Sequence, residues 1–187
     1  MPLNIITYNE SVMRLTLRIL SLLLVLSVTG TALGASQRKV PAYEKYIKQY
    51  SSLAIQHQKK YRIPASITLA QGLLESGAGR SELARKSNNH FGIKCHSDWR
   101  GGRVYHDDDL RGECFRKYKN PEQSYEDHAR FLVDRPRYAS LFKLKITDYK
   151  GWARGLQKCG YATDRAYANR LIKLIEDYDL YRYDTAK

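Results

Sequence analysis

The sequence predicts a predominantly helical α+β fold with one small β-hairpin. Most of the chain after residue 40 consists of segments whose apolar residues recur at three- and four-residue spacings, which is typical of amphipathic helices. One stretch differs, because VYHDDD (104–109) and ECFRKY (113–118) alternate on either side of Leu110, Arg111 and Gly112. We therefore expect a helical core with a two-stranded hairpin at its side.

Proline, glycine and aspartate residues divide the helical part of the chain into separate predicted elements. Before the hairpin, we predict helices over 42–61, 64–76 and 81–86. After it, we predict helices over 121–134, 148–159 and 164–178, with Pro136 ending the first of these. The sequence contains no internal repeat and no low-complexity linker, so residues 36–187 are expected to form one domain.

The first 35 residues are typical of an export signal. Arg14 and Arg18 precede the apolar run Ile19–Val28, and small residues at Ala32 and Gly34 suit a cleavage site. Because residues 1–12 lack the charge of such a signal, translation is expected to begin at Met13. The apolar run is too short to span a membrane, although a non-cleaved anchor is the alternative. We expect an exported protein of the periplasm, cell envelope or medium, with no stable membrane insertion after cleavage.

The chain is strongly basic. Its 187 residues include 32 Lys and Arg against 19 Asp and Glu, a net charge of +13. A positive field favours anionic partners, and an exported protein meets envelope polymers before it meets nucleic acid. The basic residues are scattered through polar helix faces and form no nucleic-acid-binding motif, so we expect no nucleic-acid partner.

The most informative segment is LAQGLLESGAGRSELARKSNNHFGIK, residues 69–94. It places Glu75 in the last turn of an apolar helix that ends at Ser76 and Gly77, where glycine suits a left-handed cap. The negative end of the helix dipole and the apolar neighbours both disfavour a carboxylate, so the pKa of Glu75 should rise. A carboxyl group of that kind is suited to general acid catalysis.

Several motifs in order resemble the glucosaminidase family of peptidoglycan hydrolases, glycoside hydrolase family 73, which includes flagellar rod-cap hydrolases and bacterial autolysins. The motifs are AQGLLESGAGRS (70–81), SNNHFGIK (87–94), Trp99, ECFRKY (113–118), SYEDHARFL (124–132), RYASL (137–141) and CGYATDRAYANRLIKLIE (159–176). The resemblance covers nearly all of the chain after Tyr43. It implies a lysozyme-like fold with a cleft beside the hairpin lobe, and it implies that Glu75 protonates the glycosidic oxygen.

In this family a second carboxylate lies on the hairpin. Here the hairpin offers Asp107, Asp108, Asp109 and Glu113, and counting from Trp99 points to Asp108 or Asp109. The hairpin is shorter than in the flagellar members and lacks their threonine–glutamate pair, so both aspartates stay candidates. Alternatively, the substrate's own N-acetyl group supplies the nucleophile, which leaves the second acid a supporting role.

The resemblance and the side-chain types also suggest groups that contact the sugar. Tyr161 matches a family tyrosine near the scissile sugar, with a core aromatic role as the alternative. We predict five substrate-binding residues: Asn88, Asn89, Phe91, Trp99 and Tyr167. Aromatic rings bury the apolar faces of sugars, although Phe91 is expected to pack beneath the cleft. The two asparagine amides suit acetamido groups, with a turn role as the alternative.

Export favours oxidised cysteines, and Cys95 and Cys114 flank the hairpin, so we predict a disulfide between them. The alternative is a zinc site formed by Cys95, His96, His106 and Cys114. These spacings fit no common zinc pattern, so no metal is expected. His90 and His128 are interpreted as loop and helix-face residues.

The combined hypothesis is an exported, monomeric peptidoglycan hydrolase that uses no cofactor. It would act on glycan strands as an endo-β-N-acetylglucosaminidase, cleaving the β-1,4 bond after N-acetylglucosamine. One alternative is an N-acetylmuramidase or lytic transglycosylase on the same fold, because fold does not determine bond choice. Against the transglycosylase, NNHFGIK stands where a G-L-M-Q type segment is expected. The other alternative is a non-catalytic glycan-binding or assembly protein.

Overall fold

The computed structural model describes residues 39–97, 99–108 and 110–186. The predicted export signal and Asp109 lie outside the described residues. Along the chain the elements are α1 (Pro41–Tyr61), α2 (Ala65–Ser76), α3 (Glu82–Ser87), β1 (Gly102–His106), β2 (Glu113–Lys117), α4 (Pro121–Val133), α5 (Tyr149–Lys158) and α6 (Tyr167–Asp177), with 3₁₀ segments at Pro136–Lys143 and Leu180–Thr185. This arrangement confirms the predicted α-rich fold with a small antiparallel sheet.

The sequence did not predict the two 3₁₀ segments. In the first, Tyr138 and Leu141 are buried one 3₁₀ turn apart. The last helix also begins three residues later than expected, because the backbone turns at Asp164 before Tyr167. Within the described residues, no helix is long and apolar enough to cross a membrane.

Helix α2 runs through the core, and this placement positions Glu75. Its residues Ile67, Leu69, Ala70 and Leu73 are completely buried, because α1, α5, α6 and the C-terminal 3₁₀ segment surround it. A helix that is apolar on all sides is stable only in such an environment. Glu75, in the last turn, is only partly buried and lies where the helix reaches the surface.

Both ends of α2 are capped. At its start, the carboxylate of Asp184 accepts hydrogen bonds from the Ser66 backbone N–H at 2.8 Å and from the Ser66 hydroxyl at 2.7 Å. A capping residue from the far end of the chain thus replaces a local one. At its end, Gly77 adopts the left-handed conformation with φ of 56° and donates its N–H to the Leu73 carbonyl.

The hairpin is attached to the helical core at several points. Strands β1 and β2 pair antiparallel from Gly102 with Lys117 to His106 with Glu113. A disulfide joins Cys95 to Cys114, with Cα atoms 5.3 Å apart. Arg116 of β2 forms a salt bridge of 3.0 Å with Asp127 of α4. These links attach the hairpin to the helical core.

Candidate active site

Glu75 lines a cleft with a volume of about 490 Å³. The cleft lies between the end of α2, the loop 91–96, the hairpin turn and the segment that leads into α6. Its lining includes Leu74, Glu75, Phe91, Gly92, Ile93, Lys94, His96, Asp108, Phe131, Gly160, Tyr161, Ala162, Thr163, Asp164, Tyr167 and Arg170. The fold therefore brings together residues from both ends of the domain sequence.

The electrostatic environment of Glu75 favours its protonated form. The pKa of this carboxyl group is raised to about 7, and burial is the largest cause. A hydrogen bond from Tyr167 and the positive charge of Arg170 act in the opposite direction but are smaller effects than burial, and the negative charge of Asp108 makes the smallest contribution, which raises the pKa. The result is a carboxylic acid that retains its proton close to neutral pH, as general acid catalysis requires.

A chain of buried hydrogen bonds orients the donor that reaches Glu75. Gln71 Nε2 donates to the Tyr167 hydroxyl at 2.9 Å, and Gln71 Oε1 accepts a hydrogen bond from the His128 Nε2–H at 3.1 Å. Because the Tyr167 oxygen accepts from Gln71, its own O–H is left to donate to Glu75, and this hydrogen bond lowers the Glu75 pKa.

Asp108 is the described hairpin carboxylate that lines the cleft with Glu75. Its Oδ2 lies 3.4 Å from Lys94 Nζ, which also contacts Glu113 at 2.9 Å. Asp107 instead accepts a hydrogen bond of 2.7 Å from the Gly112 backbone N–H within the turn. Of the two predicted second acids, Asp108 faces the cleft and Asp109 lies outside the described residues.

Three of the predicted aromatic residues line the cleft. Tyr161 and Tyr167 stack with ring centroids 5.6 Å apart, and burial raises the pKa of both phenols well above 10. Both hydroxyls therefore remain protonated donors at neutral pH. Phe91 is 3% exposed and stacks on the His128 ring at 4.0 Å, which supports the floor of the cleft.

The two asparagines lie elsewhere and have structural roles. Asn89 is 1% exposed, and its side-chain amide donates to the carbonyls of Ile93 and Arg116, both at 2.9 Å. Asn88 adopts a left-handed conformation at the end of α3 and donates to the Tyr118 carbonyl at 3.0 Å. Neither lines the cleft, because the backbone around the hairpin uses their amides. The prediction that they contact acetamido groups is replaced by the turn interpretation.

Trp99 also lies away from the cleft. Its indole N–H donates to the Gly102 carbonyl at 2.8 Å, and the Arg116 guanidinium lies 4.6 Å from its ring centroid. The ring packs edge-on against Tyr118 at 5.8 Å. These contacts place Trp99 against the base of the hairpin, so the structure does not support its predicted sugar-stacking role.

Sequence reasoning overlooked Gln71, His128, Lys94 and Arg170. One signal was available, because Gln71 precedes Glu75 by four residues and therefore shares its helix face. His128 carried no such signal, since its partner on α2 is 57 residues away. His90 lies in a loop and His128 on α4, as predicted, and both are buried, His128 completely and His90 to 5% exposure.

Metal binding finds no support in the described residues. Cys95 and Cys114 are joined in the disulfide, which removes two thiolates from the considered zinc site. Across residues 39–97, 99–108 and 110–186, no group of three or more His, Cys, Asp or Glu side chains is arranged to hold a metal ion.

The sequence matches a known family over most of its length. The family described as Glucosaminidase, mannosyl-glycoprotein endo-beta-N-acetylglucosaminidase, matches residues 51–180. The chain belongs to the glucosaminidase family. Residues 51–180 include the whole of α2, the hairpin and α4 and end just after α6, so the match contains the cleft described above.

Two relatives of this glucosaminidase are similar to it over most of the described chain. It is 39% identical over 140 residues to the exo-glucosaminidase LytG of Bacillus subtilis, covering 67% of this chain and 48% of the relative. It is 32% identical over 147 residues to the peptidoglycan hydrolase FlgJ of Vibrio parahaemolyticus, covering 73% of this chain and 47% of the relative. The chain thus spans about half the length of these curated relatives.

Solved structures have the same fold. A peptidoglycan hydrolase from Sphingomonas sp. A1 superposes with a TM-score of 0.65 at 32% identity, covering 77% of this chain and 96% of the other. The catalytic domain of the autolysin Auto from Listeria monocytogenes superposes with a TM-score of 0.66 at 28% identity, covering 98% of this chain and 99% of the other. The glycoside hydrolase domain of Salmonella typhimurium FlgJ superposes with a TM-score of 0.60 at 28% identity, covering 73% of this chain and 88% of the other.

The raised pKa of Glu75 predicts the alkaline limit of activity of this glucosaminidase. A general acid works only while protonated, so kcat/KM should fall about tenfold per pH unit above pH 7. Tyr167→Phe removes a hydrogen bond that lowers this pKa, so the fall of kcat/KM at high pH, the alkaline limb of the pH profile, should move to higher pH in this variant. Rate measurements on purified cell wall from about pH 5 to 9 would test both. A limb near pH 4.5 in the wild type would contradict the assignment of Glu75.

Proposed function

We propose that this chain is an exported peptidoglycan hydrolase that cleaves the β-1,4 bond after N-acetylglucosamine. The observation that carries the proposal is Glu75, a carboxyl group with a pKa of about 7 that faces Asp108 across a cleft of the glucosaminidase fold. The names of its relatives, an exo-glucosaminidase, a peptidoglycan hydrolase and an autolysin, support this substrate.

In the first step, Glu75 gives its proton to the glycosidic oxygen as the bond to the anomeric carbon breaks. A hydrogen bond from Tyr167 holds the Glu75 carboxyl group, which lines the cleft where the substrate would bind. Positive charge develops on the sugar ring, and the Asp108 carboxylate, held by Lys94, lies in the same cleft to stabilise it.

Three routes can complete hydrolysis. In the first, Asp108 takes a proton from a water that attacks the anomeric carbon. In the second, Asp108 itself attacks that carbon, and water then displaces it. In the third, Asp108 orients the substrate's N-acetyl group, whose oxygen attacks the anomeric carbon to form a ring that water opens. In the last two routes the ionised Glu75 takes the proton of the incoming water. Tyr161 lines the cleft and stacks on Tyr167, which supports the proposal that its hydroxyl forms a hydrogen bond to the sugar.

The proposed location and partners rest on the sequence and on the relatives. The signal-like residues 1–35 and the peptidoglycan hydrolases among the relatives support export to the envelope. The glycan strand is the proposed macromolecular partner, and the protein acts as a monomer without a cofactor. Mass spectrometry of the envelope form should find an N-terminus near Ala35 or Ser36.

The reducing ends of the products provide the test of bond choice. After digestion of purified peptidoglycan and borohydride reduction, mass spectrometry should find reduced N-acetylglucosamine at the new ends. Reduced muramic acid would indicate a muramidase, and anhydromuramic acid a transglycosylase. A zymogram without clearing would favour the non-catalytic alternative.

The same digest separates endo from exo action, a necessary distinction because one relative is an exo-glucosaminidase. Endo cleavage should shorten long strands at many positions early in the reaction. Exo cleavage should release small products from the start while the long strands persist.

A further inference from the structure

A second cavity, of about 340 Å³, lies between α1, the loop 77–80 and α3. It shares no lining residue with the catalytic cleft. Lys45, Arg80 and Arg85 line it, and no carboxylate is among its lining residues in the described part of the chain. We call it the basic cavity. The loop that lines it begins two residues after Glu75.

The three cations of the basic cavity have no acidic partner there. Within residues 39–97, 99–108 and 110–186, the side chains of Lys45 and Arg85 form no hydrogen bond or ion pair, and the Arg80 side chain donates only its Nε–H, to the Gly77 carbonyl at 3.2 Å. Glu82 acts on Arg85 through its charge but is paired with Lys86 and does not line the basic cavity. No carboxylate therefore pairs with these cations inside the basic cavity, as far as the described residues go.

An N–H donor of His90 also lines the basic cavity. The Tyr125 hydroxyl donates to the Tyr46 hydroxyl at 2.8 Å, so the Tyr46 proton is directed to His90 Nδ1 at 2.9 Å. Burial lowers the pKa of His90 to about 4, so the ring is neutral and carries its proton on Nε2. His90 is 5% exposed and lines the basic cavity.

This Nε2–H has no hydrogen-bond partner among the described residues. The N–H is therefore available to a ligand in the basic cavity that accepts hydrogen bonds, and three cations line the same cavity. Glu122, whose negative charge raises the pKa of His90 slightly, does not line the basic cavity.

We propose that the basic cavity binds an anionic group, a carboxylate or a phosphate, that accepts the His90 Nε2–H and pairs with Lys45, Arg80 and Arg85. Charge-assisted hydrogen bonds of this kind are the strong ones in proteins. If the proposed function holds, two polymers of the envelope supply such groups: peptidoglycan carries carboxylates on its peptide stems, and associated polymers carry phosphates. The basic cavity would hold the polymer while Glu75 acts elsewhere on it.

Inorganic phosphate tests the site without reference to catalysis. In protein labelled with ¹⁵N-histidine, phosphate added at constant ionic strength should shift the His90 ring signals along a saturable curve. The signals are assigned by their loss in His90→Gln. The double variant Lys45→Gln/Arg85→Gln should weaken this binding at least tenfold, whereas Lys59→Gln/Arg154→Gln, which removes two exposed charges elsewhere, should not. No saturable shift, or equal weakening in both double variants, would overturn the proposal.

Co-sedimentation with cell-wall sacculi then distinguishes the two sources. The inactive Glu75→Gln chain is compared with and without the double substitution on intact sacculi, on sacculi freed of stem peptides and on sacculi freed of phosphate polymers. If the double substitution no longer lowers binding once the stem peptides are removed, the bound groups are carboxylates. If it no longer lowers binding once the phosphate polymers are removed, the bound groups are phosphates. If the double substitution lowers binding to intact sacculi no more than its control, the basic cavity does not hold these polymers.

Discussion

Glu75→Gln should lower the rate of cell-wall hydrolysis by about 10² to 10⁴. The amide keeps the shape of the side chain, and its oxygen can still accept the hydrogen bond from Tyr167, but it cannot protonate the glycosidic oxygen. Release of soluble fragments from purified peptidoglycan is the measurement. More than about a tenth of wild-type activity would show that Glu75 is not the acid.

Thermal unfolding across pH provides the control that Glu75→Gln remains folded. The folded pKa of Glu75, about 7, lies above its ordinary 4.5, so protonation contributes stability that is complete below pH 4.5 and lost as the pH rises through 7. The glutamine side chain of the variant cannot ionise, so the variant should match wild type at about pH 4 and exceed its stability at about pH 8. The upper limit is about 3 kcal/mol, reduced by partial solvent exposure.

Asp108→Asn should produce the second-largest loss, again by two or more orders of magnitude if Asp108 acts directly on the anomeric carbon or the water. The loss should be smaller than that of Glu75→Gln if Asp108 only orients the N-acetyl group. Because Asp108 raises the pKa of Glu75, the residual activity should also have its alkaline limb at lower pH than wild type. Kinetics on one cell-wall preparation from about pH 5 to 9 measure both effects.

Asp107→Asn is the matched control for Asp108, since Asp107 bonds within the turn to the Gly112 N–H and does not line the cleft. It should retain near-normal turnover. Asp109→Asn tests the remaining sequence prediction. If all three variants keep near-normal activity, no aspartate of the hairpin turn is the second acid, and Glu75 with Tyr161 provides the protein's contribution to the chemistry.

Local sequence was enough to predict most of the secondary structure and the main catalytic candidate. Apolar periodicity and a glycine cap predicted α2 within one residue of its observed start, and they placed Glu75 in its last turn. These features are determined by neighbours a few residues apart, so they can be read from the sequence. The cause of the raised Glu75 pKa was only partly predicted. The sequence analysis named the helix dipole and the apolar neighbours, whereas the largest cause is burial of Glu75 in the fold.

Tertiary structure decided which side chains meet in the cleft. Asn89 and Trp99 have the chemistry of sugar-binding residues, but backbone groups around the hairpin use their hydrogen bonds. Gln71 and His128 have no catalytic signature, yet together they orient Tyr167 towards Glu75.

The sequence by itself therefore determined the helices, the hairpin, the family resemblance and the candidate acid, because each depends on local spacing or on short motifs. Only the packed fold decided that Asp108 lies in the cleft with Glu75 and that Asp184 caps α2 from 118 residues away. Such contacts depend on how separate elements pack against one another. No local pattern encodes them, since the free energy that holds them comes from burial shared across the whole core.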